Sequence, residues 1–151
     1  MKFVRQGLVA LGCIYCLLTV MVGCAHFHQI QFINEACIKP YKGYDYRTCA
    51  PMRVSIDGKK ITIPKDFKTD LASIPRILWP IVAPQYTSFV APAILHDYLY
   101  RCHTTVSRQF ADEVIYSALI TENVSAFTAS KFYVAVRLFG SSHFGEHEEG
   151  C

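Results

Sequence analysis

The chain has 151 residues, of which 52% are hydrophobic and 18% are charged, and its formal net charge is +3. This length suits one small domain and leaves no room for two. Lys and Arg are scattered and acidic residues crowd the end of the chain, at Glu146, Glu148 and Glu149, so the charge pattern argues against a nucleic-acid-binding protein.

The N-terminus resembles a bacterial lipoprotein signal peptide. Two basic residues precede an apolar run over residues 7–22, which is short for a bilayer span, and a small residue stands directly before Cys24. We therefore expect residues 1–23 to be cleaved and Cys24 to carry a lipid anchor that holds the protein on a membrane. An uncleaved anchor helix is the alternative, and both place the domain outside the cytoplasm. Ala25 in place of an aspartate favours the periplasmic side of the outer membrane over the inner membrane, by resemblance to bacterial sorting rules.

The cysteines agree with an oxidising compartment. Of the seven, two fall in the signal peptide and one is the predicted anchor, which leaves Cys37, Cys49, Cys102 and Cys151. Four cysteines in such a compartment indicate two disulfides, for which three pairings are possible. We favour Cys37–Cys49 because it closes a short local loop, and Cys102 then holds the C-terminal tail through Cys151.

The first half of the mature chain predicts strands and loops. Alternating residues 30–33 indicate a short strand, and residues 39–51, which are rich in Tyr, Lys, Gly and Pro, indicate a loop. Residues 52–56 and 60–64 alternate apolar and polar side chains around Asp57-Gly58. This pattern is a strong signal for a β-hairpin with a primed turn.

Three helices are predicted to follow a proline-rich loop. The first covers about residues 88–101. The second starts at the N-cap Ser107 and continues to Glu122, and the third follows the cap Ser125 and stops at Gly140.

These elements predict an α+β fold, with an N-terminal β-hairpin or small antiparallel sheet followed by a three-helix bundle. We expect the signal peptide (1–23), an anchor-proximal segment and loop (24–51), a single domain (52–140) and a polar C-terminal tail (141–151).

The first predicted helix carries the residues that most need an explanation. His96 and Asp97 stand in an apolar run and would lose their hydration on folding, so they need partners or a function. His96 and Tyr100 are four residues apart and share a face, whereas Asp97 points towards another element. Asp112 lies on the apolar stripe of the second helix, and antiparallel packing would bring it to His96 and Tyr100.

These side chains have the composition of a hydrolytic site. A histidine oriented by a buried carboxylate is a general base for water. Asp97 could hold a hard cation with Asp70 and loop carbonyls, and the cation would polarise an ester carbonyl. Ser73, in the proline-rich loop, stays open as a nucleophile. The structural alternatives are a His-Asp pair that only satisfies helix ends and backbone, and a surface ion pair between Asp112 and Arg108.

Other polar residues are given plainer roles. On the third helix, Arg137 could line a cleft and bind a phosphate, or form a structural ion pair with Asp97 or Asp112. We expect solvated side chains for the histidines near the two ends of the mature chain: His26, His28, His143 and His147.

The motif His96-Asp97-Tyr98-Leu99-Tyr100 has the His-Asp-x-x-Tyr spacing of secreted phospholipases A2. Residues 92–101 resemble the corresponding helix of the prokaryotic enzymes, and residues 129–140 resemble their final helix. The resemblance implies His96 as general base, Asp112 as the carboxylate that orients it, and Tyr100 as a hydrogen-bond partner of Asp112. It also implies calcium as cofactor, held by Asp97, Asp70 and the carbonyl of Leu71.

A second resemblance covers roughly residues 63–140 and is to the phage and bacterial family called domain of unknown function 1353. It is carried by residues 67–75, the His96-Asp97 helix, residues 107–112 and residues 135–137. This family supplies no mechanism.

Two functional hypotheses follow. The first is a lipid-anchored, calcium-dependent esterase of the phospholipase type, acting on an acyl ester near the membrane. The second is a non-catalytic, prophage-type envelope lipoprotein that binds a partner or alters the cell surface.

Overall fold

The computed structural model describes residues 25–43, 45–71, 87–102, 105–145 and 151. The predicted signal peptide, the predicted anchor Cys24, the nucleophile candidate Ser73 and His147 lie outside the described residues.

Within the described ranges, six short strands form two antiparallel sheets of three strands each. The strands are β1 (Ile30–Phe32), β2 (Ile38–Pro40), β3 (Tyr46–Thr48), β4 (Met52–Ile56), β5 (Lys59–Ile63) and β6 (Lys68–Thr69). One sheet has the order β1-β4-β5 and the other β2-β3-β6. Three helices follow these strands in the chain, so the predicted α+β arrangement is confirmed.

The hairpin β4-β5 forms because its two central residues accept the left-handed backbone of a tight turn. Asp57 has a φ of +50° and Gly58 a φ of +81°, as a primed turn requires at both positions. The register places Met52 opposite Ile63, so alternate side chains of both strands enter the core, where Met52, Val54 and Ile63 are buried.

The prediction of a loop over residues 39–51 is wrong in part. Strand β2 overlaps the start of this range and β3 lies inside it. The two strands pair with each other, and β3 also pairs with β6. These strands have two or three residues each, too few to give an alternating pattern. The disulfide Cys37–Cys49 lies next to them with a Cα–Cα distance of 5.3 Å.

The three predicted helices are present as α1 (Val90–Arg101), α2 (Arg108–Thr121) and α3 (Ala126–Phe139). The Oγ atoms of Ser107 and Ser125 accept the backbone N–H groups of Phe110 at 3.1 Å and Thr128 at 3.3 Å. These contacts are N-caps, so the cap residues did fix where α2 and α3 begin. A 3₁₀ turn (Thr87–Phe89) precedes α1, and another (Gly140–His143) follows α3.

Helix α2 packs against both α1 and α3, while β1 contacts α2 and β6 contacts α1. The main core lies between the β1-β4-β5 sheet and the first two helices, and it includes Met52, Val54, Ile63, Phe67, Ile94, Leu95, Leu99 and Val114. The second disulfide, Cys102–Cys151, fastens the last residue to the end of α1. Among the described residues, no helix combines the length and apolar character needed to cross a membrane.

Candidate active site

Helix α1 is enclosed on most of its circumference, which explains why its polar side chains need partners. Nine of its twelve residues are buried. His96 and Tyr100 share one face, and Asp97 and Arg101 share another face about 100° away. One buried helix therefore presents two polar faces to two different neighbours.

The first face meets Asp112 of α2, a carboxylate with 0% exposure. Its Oδ1 lies 3.3 Å from Nε2 of His96. The same oxygen accepts the hydroxyl of Tyr100. The structure thus brings together the three side chains that helical spacing predicted to meet.

The second oxygen of Asp112 is held from α3. Arg137 donates from Nη1 to Oδ2 at 2.8 Å, whereas Nη1 of Arg108 lies 3.9 Å away. Arg108 instead donates to the backbone oxygen of Arg137 at 3.0 Å. Asp112 is therefore the buried junction of three helices, rather than half of a surface ion pair with Arg108.

The hydrogen bonds around Asp112 determine its charge. Burial raises the pKa of Asp112, but hydrogen bonds from His96, Tyr100 and Arg137 outweigh burial and hold it below its ordinary value. Asp112 is ionised at neutral pH. Burial and the bond to Asp112 also raise the pKa of Tyr100, so its hydroxyl keeps its proton.

These charges determine which nitrogen of His96 can act. An ionised Asp112 only accepts hydrogen bonds, so Nε2 carries the proton and Nδ1 is the basic atom of the neutral ring. Nδ1 is buried and has no hydrogen-bond partner among the described residues. Oδ1 of Asp97 lies 3.9 Å from Nδ1, too far for a hydrogen bond. Burial lowers the pKa of His96, but the two carboxylates outweigh burial and raise it.

The second face of α1 is tied to β6 and the residues after it. Asp97 is 2% exposed, and its Oδ2 accepts the hydroxyl of Thr69 at 2.5 Å. Arg101 donates to Oδ1 of Asp70 at 2.9 Å and to the backbone oxygen of Lys68 at 3.1 Å. Burial raises the pKa of Asp97, but the neighbouring His96 ring and the positive charge of Arg101 lower it overall.

Leu71 ends this described stretch in an unusual conformation. Its φ is +60°, in the left-handed region that a branched side chain rarely adopts. Its N–H donates to Oγ1 of Thr69 at 3.0 Å. Thr69 therefore joins Leu71 to Asp97, and the backbone turns sharply beside the two carboxylates.

A small cavity lies where α1 meets α3 and the 3₁₀ turn after it. The space open to the centre of a water molecule is about 10 Å³, which is enough for one water molecule. Its walls are formed by His96, Asp97, Tyr100, Arg101, Ala135, Val136, Gly140 and His143. Both polar faces of α1 thus contribute to one cavity.

Two residues of this wall were given other roles by the sequence. His143 was predicted to be solvated, but it is half-buried and lines the cavity. Gly140 was predicted only as a helix stop, but a Cβ atom there would lie 2.7 Å from the Tyr100 hydroxyl. The prediction is also wrong for His28, which is 5% exposed, whereas His26 is exposed as expected.

Comparison with protein families matches residues 47–136 to a family described as Protein of unknown function (DUF1353). The match covers more than half of the chain. The chain belongs to the DUF1353 family. The resemblance to this family seen in the sequence is thereby confirmed. Neither the comparison with curated proteins nor that with solved structures gave a match.

The DUF1353 segment contains both polar faces of α1 and their main partners, including His96, Arg101 and Asp112. Arg137 and the cavity residues Gly140 and His143 follow it in the chain. The α3 end of the cavity is therefore built partly from residues beyond the matched range.

The described contacts do not fit a calcium ion. Calcium takes six to eight oxygen ligands. Here Asp97 accepts a hydrogen bond from the Thr69 hydroxyl, and Asp70 is ion-paired with the guanidinium of Arg101. The positive charge of Arg101 also lowers the pKa of Asp97. Within the described ranges, no group of three His, Cys, Asp or Glu residues is placed to hold a metal ion. Calcium binding stays a prediction.

Proposed function

We propose that this chain is a lipid-anchored envelope protein that hydrolyses acyl esters, with His96 as the general base. One observation carries the proposal. Nε2 of His96 is oriented by the buried, ionised Asp112, while Nδ1 has no hydrogen-bond partner among the described residues and the ring lines a cavity with room for one water. A histidine held in this way is suited to take a proton from water.

In the proposed step, a water molecule in the cavity gives a proton to Nδ1 of His96. The resulting hydroxide forms a bond to the ester carbonyl carbon, and the carbonyl oxygen becomes an oxyanion. When the tetrahedral intermediate collapses, the bond to the alkoxy oxygen breaks and the leaving group takes the proton back from His96. Asp112 stabilises the imidazolium that exists between these two transfers.

Tyr100 and Arg137 support this step through Asp112. Each donates to an oxygen of the carboxylate, so the carboxylate cannot rotate away from His96. These partners fix the ring orientation, which is the role that positioning groups have in general-base catalysis. Neither side chain needs to contact the substrate.

The envelope location is supported by the lipoprotein-like N-terminus and by the two disulfides. Cys37–Cys49 and Cys102–Cys151 use the four cysteines that follow the predicted anchor, as suits an oxidising compartment. An anchor at Cys24 would hold the domain at a lipid surface. This favours a membrane phospholipid as the acyl ester.

A second candidate is a non-catalytic envelope lipoprotein that binds a partner or alters the cell surface. The observation that favours it is the size of the cavity, since 10 Å³ holds water but no acyl chain. In that case Asp112 only joins α1, α2 and α3.

The two candidates are separated by comparing two buried histidines. The purified full chain is tested on a short-chain nitrophenyl ester and on phospholipid vesicles, with fatty acid release measured by mass spectrometry. His96→Gln should lower the rate by about 10²–10⁴-fold, the usual contribution of a general base. The control variant, His28→Gln, alters a buried histidine of another cluster and should keep the wild-type rate.

Melting curves of both variants accompany the assays. Wild-type protein that hydrolyses none of these esters would favour the non-catalytic candidate. A folded His96→Gln variant with an unchanged rate would rule out His96 as the base.

A further inference from the structure

Arg101 is the least expected residue in the wall of the cavity. It is the last residue of α1, one turn after Asp97, and it is 6% exposed. Its guanidinium donates to the Asp70 carboxylate and to the backbone oxygen of Lys68. A fixed positive charge therefore lies beside the cavity that His96 lines.

The guanidinium of Arg101 lies among the residues that the phospholipase resemblance implies as calcium ligands. Two implied ligands are Asp97 and Asp70. Asp70 binds the guanidinium directly, and the charge of Arg101 lowers the pKa of Asp97. The backbone carbonyl that binds Arg101 is an oxygen donor of the kind that also suits calcium. Asp70 is thus ion-paired with a cation that belongs to the chain, and the same cation partly offsets the charge of Asp97.

A calcium ion bound to Asp70 would lie close to the guanidinium of Arg101, and the two cations would repel each other. Both would also need the carboxylate oxygen of Asp70. Arg101 also keeps its charge at every physiological pH. Preorganised positive charge in a site shielded from water is an effective stabiliser of a developing oxyanion. The side chain can therefore supply the electrostatic part of ester hydrolysis without a metal.

We propose that Arg101 takes the place of calcium in this site, so that the protein acts without a metal and the guanidinium stabilises the oxyanion formed on the ester carbonyl. The catalytic part of this inference rests on the proposed hydrolase function. The part concerning calcium does not, because binding can be measured on the folded protein without any substrate.

The first experiment measures calcium binding by thermal melting and calorimetry. Wild-type protein should show no shift in melting temperature with calcium up to about 10 mM, which exceeds the dissociation constants of weak extracellular sites. Arg101→Gln leaves Asp70 and Asp97 without their cation, so calcium should now raise the melting temperature. Arg101→Gln combined with Asp97→Asn should lose that response. Arg101→Lys, which keeps the charge, should remain insensitive.

A calcium-dependent melting shift in the wild type would overturn the proposal. A folded Arg101→Gln variant that gains no calcium response would overturn it as well. If Arg101→Gln does not fold, the wild type and Arg101→Lys decide, since a calcium response in either one contradicts the replacement of the metal by the side chain.

The second experiment measures hydrolysis in the presence of a calcium chelator. The wild-type rate should be unchanged, and Arg101→Gln should lower kcat by about 10²–10³-fold with a smaller effect on KM, as expected for loss of oxyanion stabilisation. Arg101→Lys should recover part of the loss. Loss of wild-type activity in the chelator, or a full rate in Arg101→Gln, would contradict the role of Arg101 and leave the hydrolase function standing. If the wild type hydrolyses no ester, the hydrolase function fails, and the calcium measurements still decide the replacement of the metal.

Discussion

Two buried histidines, His96 and His28, have similar partners in this chain. Each lies near two carboxylates. His28 has Asp57 at 2.7 Å from Nδ1 and Glu113 at 3.5 Å from Nε2. His96 has one carboxylate on each side as well, and each histidine has one ring nitrogen without a hydrogen-bond partner among the described residues.

The two clusters differ in what surrounds the histidine. Asp57 stands at the hairpin turn with its side chain 45% exposed, and the His28 ring packs against Phe110 with 4.7 Å between the ring centroids. The backbone N–H of His28 donates to Ser117 at 3.0 Å. Every one of these contacts fastens the segment before β1 to the hairpin and to α2.

The His96 cluster instead lies at the junction of three helices, around a carboxylate with 0% exposure, and it borders a cavity. A buried histidine beside carboxylates therefore does not by itself indicate a catalytic residue. The oriented ring and the adjoining space for water are what distinguish His96.

The largest effect is expected from removing the central carboxylate of each cluster. Asp112→Ala leaves His96, Tyr100 and Arg137 without their shared acceptor in the core, and we expect a loss of about 3–5 kcal/mol in the free energy of unfolding. Asp57→Ala should cost clearly less because water can replace the exposed carboxylate. Urea denaturation measures both. A smaller loss for Asp112→Ala than for Asp57→Ala would reverse our ranking of the two clusters.

Much of the His96 cluster could be predicted from the sequence because its pattern is local. Spacing along α1 puts His96 and Tyr100 on one face, and the apolar stripe of α2 points Asp112 inward. Caps at Ser107 and Ser125 then fix where α2 and α3 begin. These signals act within a few residues, so a sequence pattern carries them.

The contacts missed by sequence reasoning are long-range and lack a periodic signal. Arg101 and Asp70 are 31 residues apart in the sequence, and Thr69 and Asp97 are 28 residues apart. The contact between His28 and Asp57 joins residues 29 positions apart. The elements that bring them together, such as β6 with two residues, are too short to produce a pattern. Only the folded chain reveals these partners.

A glycine beside each cluster gives a second, smaller contrast. Gly140→Ala places a Cβ atom against the Tyr100 hydroxyl, so we expect a loss of about 1–3 kcal/mol from overpacking and a lower rate of ester hydrolysis. Gly58→Ala, next to Asp57, meets no atom within 4 Å and is strained only by its φ of +81°. It should lose stability but keep the wild-type rate. Equal rates in the two folded variants would mean that the position of Tyr100 does not matter for hydrolysis.

The smallest expected effect is the dependence of stability on pH, and here the His96 ring and the Asp57 carboxyl contribute with opposite signs. Burial lowers the pKa of His96 but the carboxylates raise it overall. The protonated ring therefore stabilises the fold below its unfolded pKa of about 6.5, and this contribution is lost as the pH rises through the folded pKa. The hydrogen bond from His28 lowers the pKa of Asp57. The contribution of the ionised Asp57 to stability is therefore lost as the pH falls through its folded pKa.

The pKa of Asp112 is lowered like that of Asp57, so both clusters lose stability in acid. The two clusters are therefore separated best by measuring stability at alkaline pH, where the contribution of the His96 ring is lost. Since the proposed base must be neutral, the rate of hydrolysis should rise over the same pH range in which the His96 contribution to stability falls. Melting temperatures and rates measured from about pH 5 to about pH 9 test this. His96→Gln should flatten the alkaline decline in melting temperature, and His28→Gln should leave the rate profile unchanged. If the rate fell with rising pH, or if His96→Gln kept the wild-type decline, the neutral His96 ring could not be the base.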